Sequence, residues 1–362
     1  LFLFFNGSTQ VAETIFQLTE KVLTATGKYS SADGKLLRNA VLEAAEKMDI
    51  SVRRFQNIWY SATRKLLNIP WVELLSRNSD KVVFDHISFR KKQKATKRDI
   101  ELLKADIEKA CADRISIMDM LGLVDKHLEI NYLSFKDDPN YNASKIREFL
   151  NIPQNGPIYS ITNALEDAGI IVLTFECSSE IDGINGKVNG IPYIFFNSNI
   201  KTIERKRFTI IHETCHIFFD ESELDIEEKD LEKYINKVAG NVLIPNEDTY
   251  LIFGRTNREL TIYLRNEVAK KYKIAPSCLI NRLFETNVIT EIYHKKFFIY
   301  LNKQYGRKNE PTLLDKRYDS EEPTLFTYQV YSALSKELIS ASKAAEYLNV
   351  PLYDVMQNMR VE

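Results

Sequence analysis

The sequence predicts an α+β fold, with a small strand-bearing domain at 141–290 flanked by mainly α-helical regions at both ends. Three observations carry this expectation. Long stretches of 1–80 lack Pro and Gly and place apolar residues at three-and-four spacing, the pattern of amphipathic helices. From Ala143 onward the chain shows short apolar runs bounded by turn formers, Ile170–Phe175 and Ile191–Phe196, which is the patterning of strands. Residues 203–220 then return to a strongly periodic helix.

Bulk composition sets the frame for each element. With 362 residues the chain can bury a sizeable core and form two or three folding units. A formal net charge of -1 makes the whole chain no general magnet for nucleic acid, so any basic surface is local. No apolar run approaches the length of a membrane span, and the opening Leu1–Phe5 is too short and wrongly flanked for a signal segment. The first residue is Leu1, not an initiator Met, which suggests a start inside a longer product or a trimmed one. Cys111, Cys177, Cys215 and Cys278 are far apart and form no CxxC pair. That spacing suits reduced thiols and a cytoplasmic location.

Within the helical 1–80 region, residues 41–60 resemble a helix-turn-helix. Ala45 would sit at the helix crossing, Met48, Ile50, Phe55 and Ile58 would fill the pair's core, and Arg53, Arg54 and Gln56 would face DNA. Two packed helices of any all-α domain would give the same pattern, and Asp49 stands where Gly is common. A basic run, Arg90–Arg98, opens a helical linker over 81–140, with a polar helix to about Met120. The turn formers of 137–142 mark a boundary. Helices are expected at 143–150 and 160–168, the latter stopped by Gly169. A strand follows at 170–175, then a turn at 182–186, a strand at 191–196 and the helix at 203–220. A further helix over 231–243 ends before Pro245. The chain beyond is mostly helical, with a short hairpin at 289–301 and a charged, Pro-containing loop at 305–323. The C-terminal region, 291–362, is mainly helical and includes the start of a small helix pair at 340–350.

The chemistry is concentrated in His212-Glu213-Thr214-Cys215-His216. On a helix, positions i and i+4 stand one turn apart on one face, so both imidazoles can reach one metal ion. Glu213 lies about 100° round the helix from His212, beside the metal and placed to take a proton from water. The pattern makes His212 and His216 candidate Zn2+ ligands and Glu213 the candidate catalytic base. A random chain of this composition shows it on the order of 0.5% of the time. Phe208, Ile211, Cys215 and Phe219 form the apolar stripe of the helix, with the histidines along its edge; Cys215 is expected in the core. His86, His127 and His294 are isolated.

A catalytic zinc needs a third protein ligand and an open position. Leu231, Tyr234, Ile235, Val238 and Val242 make one apolar helix face, and Glu232 flanks it. If this helix ran antiparallel to the His212/His216 helix, Glu232 would reach the site. Glu221, Glu223, Asp225, Glu227, Glu228 and Asp230 crowd the connection and are rivals.

Taken together, Arg207-Phe208-Thr209-Ile210-Ile211-His212-Glu213-Thr214-Cys215-His216 and Glu232-Lys-Tyr-Ile235-Asn236-Lys-Val238-Ala239-Gly-Asn-Val242-Leu243-Ile244-Pro245 resemble the ImmA/IrrE family of zinc metallopeptidases. The likeness covers about residues 142–286, including Leu165-Glu166 and Arg282-Leu283. Ile235, Val238 and Cys215 depart from the family pattern without removing a chemical group. The resemblance implies a zincin-like domain, Glu232 as third ligand, and a cytoplasmic endopeptidase. It also implies a protein substrate of repressor or antitoxin type, in stress response or transcription regulation, with an N-terminal helix-turn-helix as a common companion. The competing expectation is a DNA-binding regulator or antitoxin with a structural or sensory metal site, motivated by residues 42–58 and Arg90–Arg98. A third is a degenerate peptidase fold serving as an interaction module.

Overall fold

The computed structural model describes residues 84–88, 96–123, 128, 130–178, 180–219, 227–256, 260–306, 309–310, 312–314 and 321–359. The helix-turn-helix expected at 41–60, with Arg53, Arg54 and Gln56, lies outside them. The chain divides into two compact units, Val83–Val330 and a second made of Leu1–Val82 with Tyr331–Glu362.

In the first unit the elements run β1 (Phe84–Ser88), α1 (Lys97–Met120), α2 (Pro139–Phe149), α3 (Ile161–Asp167), β2 (Ile171–Phe175), β3 (Gly183–Val188), β4 (Ile191–Asn197), α4 (Ile203–Ile217), α5 (Glu228–Leu243), α6 (Asn246–Phe253), α7 (Ile262–Tyr272), α8 (Pro276–Glu285) and α9 (Glu291–Tyr305). Helix α10 (Leu325–Ser335) crosses the division between units. In the second unit, α11 (Ala341–Leu348) and α12 (Leu352–Gln357) form the short pair expected near 340–350, with Ala344, Ala345 and Val355 buried.

The described strands form one sheet in the order β1-β3-β4-β2. Strand β4 is parallel to β2 and antiparallel to β3, and β1 is antiparallel to β3. As the strand between β3 and β2, β4 is buried at every position, which explains its near-continuous apolar run. Residues 182–186, expected as a turn, open β3 instead. The chain reverses at Asn189-Gly190, two residues both at positive φ (49° and 75°), as a two-residue hairpin of the favoured hand requires. Two Asn-Gly pairs compete for that role, and only the second has paired apolar residues, Val188 and Ile191, directly on either side.

The 81–140 segment contributes directly to the first unit, since β1 joins the sheet and α1 packs against β2. Thr96 and Asp99 close a reciprocal capping box at the start of α1. The turn formers of 137–142 are the cap and first turn of α2, with Asp138 as N-cap and Pro139 at N1. The hairpin expected at 289–301 is instead the helix α9. Its Phe297-Phe-Ile-Tyr run has strand-like composition, but Tyr293, Phe297 and Leu301 pack against the core at four-residue spacing.

The core lies around α4. One side of α4 packs on β3 and β4 and another on α5, whose outer faces carry α2 and α8. Ile210, Ile211 and Cys215 are fully buried, each aliphatic side chain contributing about 1.5–3 kcal/mol. Two buried arginines lock the frame. Arg147 of α2 donates to the carbonyls of Val242 (2.8 Å), Gly156 (3.0 Å) and Pro153, and burial lowers its pKa to about 10, still cationic at neutral pH. Arg282 of α8 donates to Ile244 O, Asn241 Oδ1 and Asn246 Oδ1 at the end of α5. A Cβ on Gly240 would stand 2.7 Å from Arg282 Cδ, so the close approach of α5 and α8 needs glycine there.

Candidate metal centre

Helix α4 begins at the Thr202 cap, whose side chain accepts from Arg205 N, and its periodicity sets one turn between His212 and His216. The two Nε2 atoms lie 3.2 Å apart. Helix α5 runs antiparallel to α4, pairing His212 with Asn236 and His216 with Glu232. Glu232 places Oε2 3.4 Å from His212 Nε2 and Oε1 3.9 Å from His216 Nε2. Among the described residues, His212, His216 and Glu232 form a His/Cys/Asp/Glu cluster able to hold a metal ion, with ligand atoms all within 4.8 Å of one another. Of the rival acids, Asp230 pairs with Lys233 and Glu227 is the N-cap residue of α5, while Glu221, Glu223 and Asp225 lie outside the described residues.

The donor set fits zinc. Ligand distances of about 2.0–2.1 Å in a tetrahedron put neighbouring ligand atoms about 3.3 Å apart, close to the separations His212 makes. Two imidazole nitrogens and one carboxylate are borderline donors of the kind a catalytic zinc takes, leaving a fourth position for another oxygen. Asn236 fixes the tautomer that this requires. Its Oδ1 lies 3.1 Å from His212 Nδ1 and accepts the ring proton there, which leaves the Nε2 lone pair facing His216 and Glu232. Replacing Asn236 with Ala is therefore expected to weaken zinc affinity roughly 10–100-fold, read by titration against a competing chelator, with little change in melting temperature of the metal-free protein. Unchanged affinity would remove Asn236 from this role.

Glu213 reaches the sheet. Asn185 Nδ2 of β3 donates to its Oε2 at 2.7 Å, and the residue is buried. Strand β3 can come this close because residue 183 is glycine. A Cβ on Gly183 would sit 2.8 Å from Glu213 Cγ and 2.9 Å from Thr209 Cγ2. The carboxylate is thus clamped between its own helix and β3, one position along from His212. Cys215 is fully buried, and burial raises its pKa, so the thiol stays protonated and packs as an apolar side chain. All four cysteines are free. Phe208 is half-buried and stacks beside His212, with ring centroids 6.2 Å apart. Phe208 and Asn236, the two neighbours of His212, also line a cavity of about 930 Å³ together with Lys201, Lys237, Asn281 and Asn302; the three cluster residues themselves do not line it. His294 bonds Asn281 between Phe284 and Phe298 and is not a member of the cluster.

Residues 165–284 match the model of the peptidase M78 family, the IrrE N-terminal-like domain. This stretch, a third of the chain, is similar to the ImmA/IrrE type of peptidase domain. No curated protein matches it. The IrrE-like domain so delimited spans α3 to α8 and contains all three members of the cluster, the clamped glutamate and the sheet strands β2 to β4. It is a peptidase-family domain, and no described helix is long and apolar enough to cross a membrane. Strand β1, helix α1 and residues 309–330 lie outside the matched stretch but inside the same compact unit.

Asn185, Gly183 and Asn236 of the IrrE-like domain went unassigned in the sequence. A signal existed for Asn236: an Asn in a helix interior is unfavourable without a local task, and four residues after Glu232 it must share that face. Asn185 and Gly183 carried none, because which residues of β3 meet α4 depends on long-range packing.

Proposed function

We propose that the chain is a zinc-dependent endopeptidase that cleaves a regulatory protein of repressor or antitoxin type. The observation that supports it best is the convergence of His212 Nε2, His216 Nε2 and the Glu232 carboxylate beside a separately held Glu213. The three side chains would hold the ion. Zinc, when bound, acts as a Lewis acid toward the scissile carbonyl and makes water nucleophilic near neutral pH. Glu213 is the proton carrier: its carboxylate accepts a proton from the attacking water and returns it to the leaving amine nitrogen. Asn185 holds Oε2, which orients the other carboxylate oxygen for that transfer. Phe208 and the cavity beyond it offer a half-apolar wall along which a peptide can lie next to His212.

The reading is tested by metal analysis and cleavage together. The purified chain is expected to bind close to one zinc, and His216→Ala or Glu232→Ala to lose most of it. Incubation with proteins encoded beside this gene is expected to yield discrete fragments that vanish with chelator. A chain unable to take up zinc would instead fit an interaction module.

A further inference from the structure

We propose that β1 occupies, in cis, the sheet edge on which an extended segment of the protein substrate is recognised, so that β1 must leave β3 before a substrate can be cut. The inference rests on the peptidase reading above and adds to it a substrate-binding edge and the occupant that controls it.

Strand β3 is the part of the sheet that meets the base. Asn185 bonds Glu213, and Gly183 lets the strand lie against the Glu213 side chain. One edge of β3 is saturated by β4; the other carries β1, in antiparallel register with Ile87 opposite Gly186 and Ser88 opposite Asn185. An extended peptide taking the place and direction of β1, and continuing two residues further, would run past Ile184 and Gly183 and so alongside Glu213. A strand edge is a row of unpaired N–H and C=O groups that binds any extended backbone. That chemistry suits a peptidase, which must hold a main chain straight past its base while tolerating varied side chains. With β1 in place the row is filled over Asn185–Val188, the stretch a peptide must pair with to run on past Gly183.

Two features make β1 a removable occupant. It lies upstream of the matched domain, reaching the sheet from the far side of α1 in sequence. Its ladder with β3 is also broken by a register shift between Phe84 and His86, a disruption that weakens a short edge pairing.

The test uses the full chain and a fluorescein-labelled peptide of residues 82–92, with binding read by anisotropy. Neighbouring residues of an antiparallel strand point their N–H groups in opposite directions. Of Ile87→Pro and His86→Pro, one therefore deletes a bond to β3 and the other does not. The first kind is expected to free the edge and bind the peptide at least about tenfold more tightly than the parent, the other to bind like the parent. Two folded variants that both bind no better than the parent would overturn the proposal. If neither variant folds, amide hydrogen exchange of the parent decides: β1 opening far faster than β4 supports it, and equal protection overturns it. With zinc and a quenched peptide library, the freed variant is expected to cleave at least about tenfold faster than the parent. Equal cleavage overturns the inhibitory role. Cleavage by neither protein counts against the peptidase reading, and the anisotropy result still decides whether the edge binds strands.

Discussion

Glu213→Gln is expected to lower peptide cleavage by about 10²–10⁴-fold while leaving zinc stoichiometry and melting temperature close to those of the parent. The substitution is nearly isosteric and keeps an oxygen to accept the Asn185 amide at the position of Oε2. It removes only the capacity to carry a proton. Glu213 contributes no atom to the ligand cluster, which is made by His212, His216 and Glu232, so metal content should not fall. This separates it from His216→Ala and Glu232→Ala, where loss of activity and loss of metal should come together. The measurement is single-turnover cleavage of an identified fragment-yielding substrate, with metal content determined on the same preparation. Cleavage within a few-fold of the parent would remove Glu213 as the base, and zinc loss would place it in metal binding.

Much of this site was legible in the sequence because its constraints are local. The i, i+4 spacing of His212 and His216 follows from helix geometry alone, and the apolar face of 231–242 fixed where a neighbouring helix would lie. Glu232 was harder, because several acids precede it and only the antiparallel packing of α4 and α5 selects among them. The central strand β4 was visible as a buried run, whereas β3 was mistaken for a turn. Its Gly183, Asn185 and Gly186 read as loop chemistry, and Gly183 and Asn185 are there because α4 and its Glu213 approach the strand closely. β1 was hidden for a different reason. Its partner lies nearly a hundred residues downstream, and no periodicity within five residues can announce a pairing at that distance.

The same limit applies to Glu321, which reads as one more acid of a charged loop and is fully buried. Its Oε2 accepts from the N–H groups of Ile161 (2.8 Å) and Thr162 (3.0 Å) at the start of α3, and its Oε1 pairs with the fully buried Arg207. Arg207 belongs to α4, little more than one turn before His212, and also donates to Ile158 O at 2.8 Å. One carboxylate therefore ties residues 321–324 to both α3 and the N-terminal half of the helix that carries the site. Glu321→Ala would take a countercharge from the buried guanidinium and an acceptor from two helix N–H groups. The expected cost is about 3–5 kcal/mol, or roughly a 10 °C fall in melting temperature for a unit of this size. Zinc binding should loosen as α4 loses its anchor. Removing both charges together, in Arg207→Met with Glu321→Leu, is expected to recover a large part of the loss, since most of it comes from stranding one buried charge. Thermal melts of the two singles and the double give the coupling energy. A single variant melting within about 2 °C of the parent would mean that the pair contributes little to holding α4, and that the anchor of the site lies elsewhere in the core.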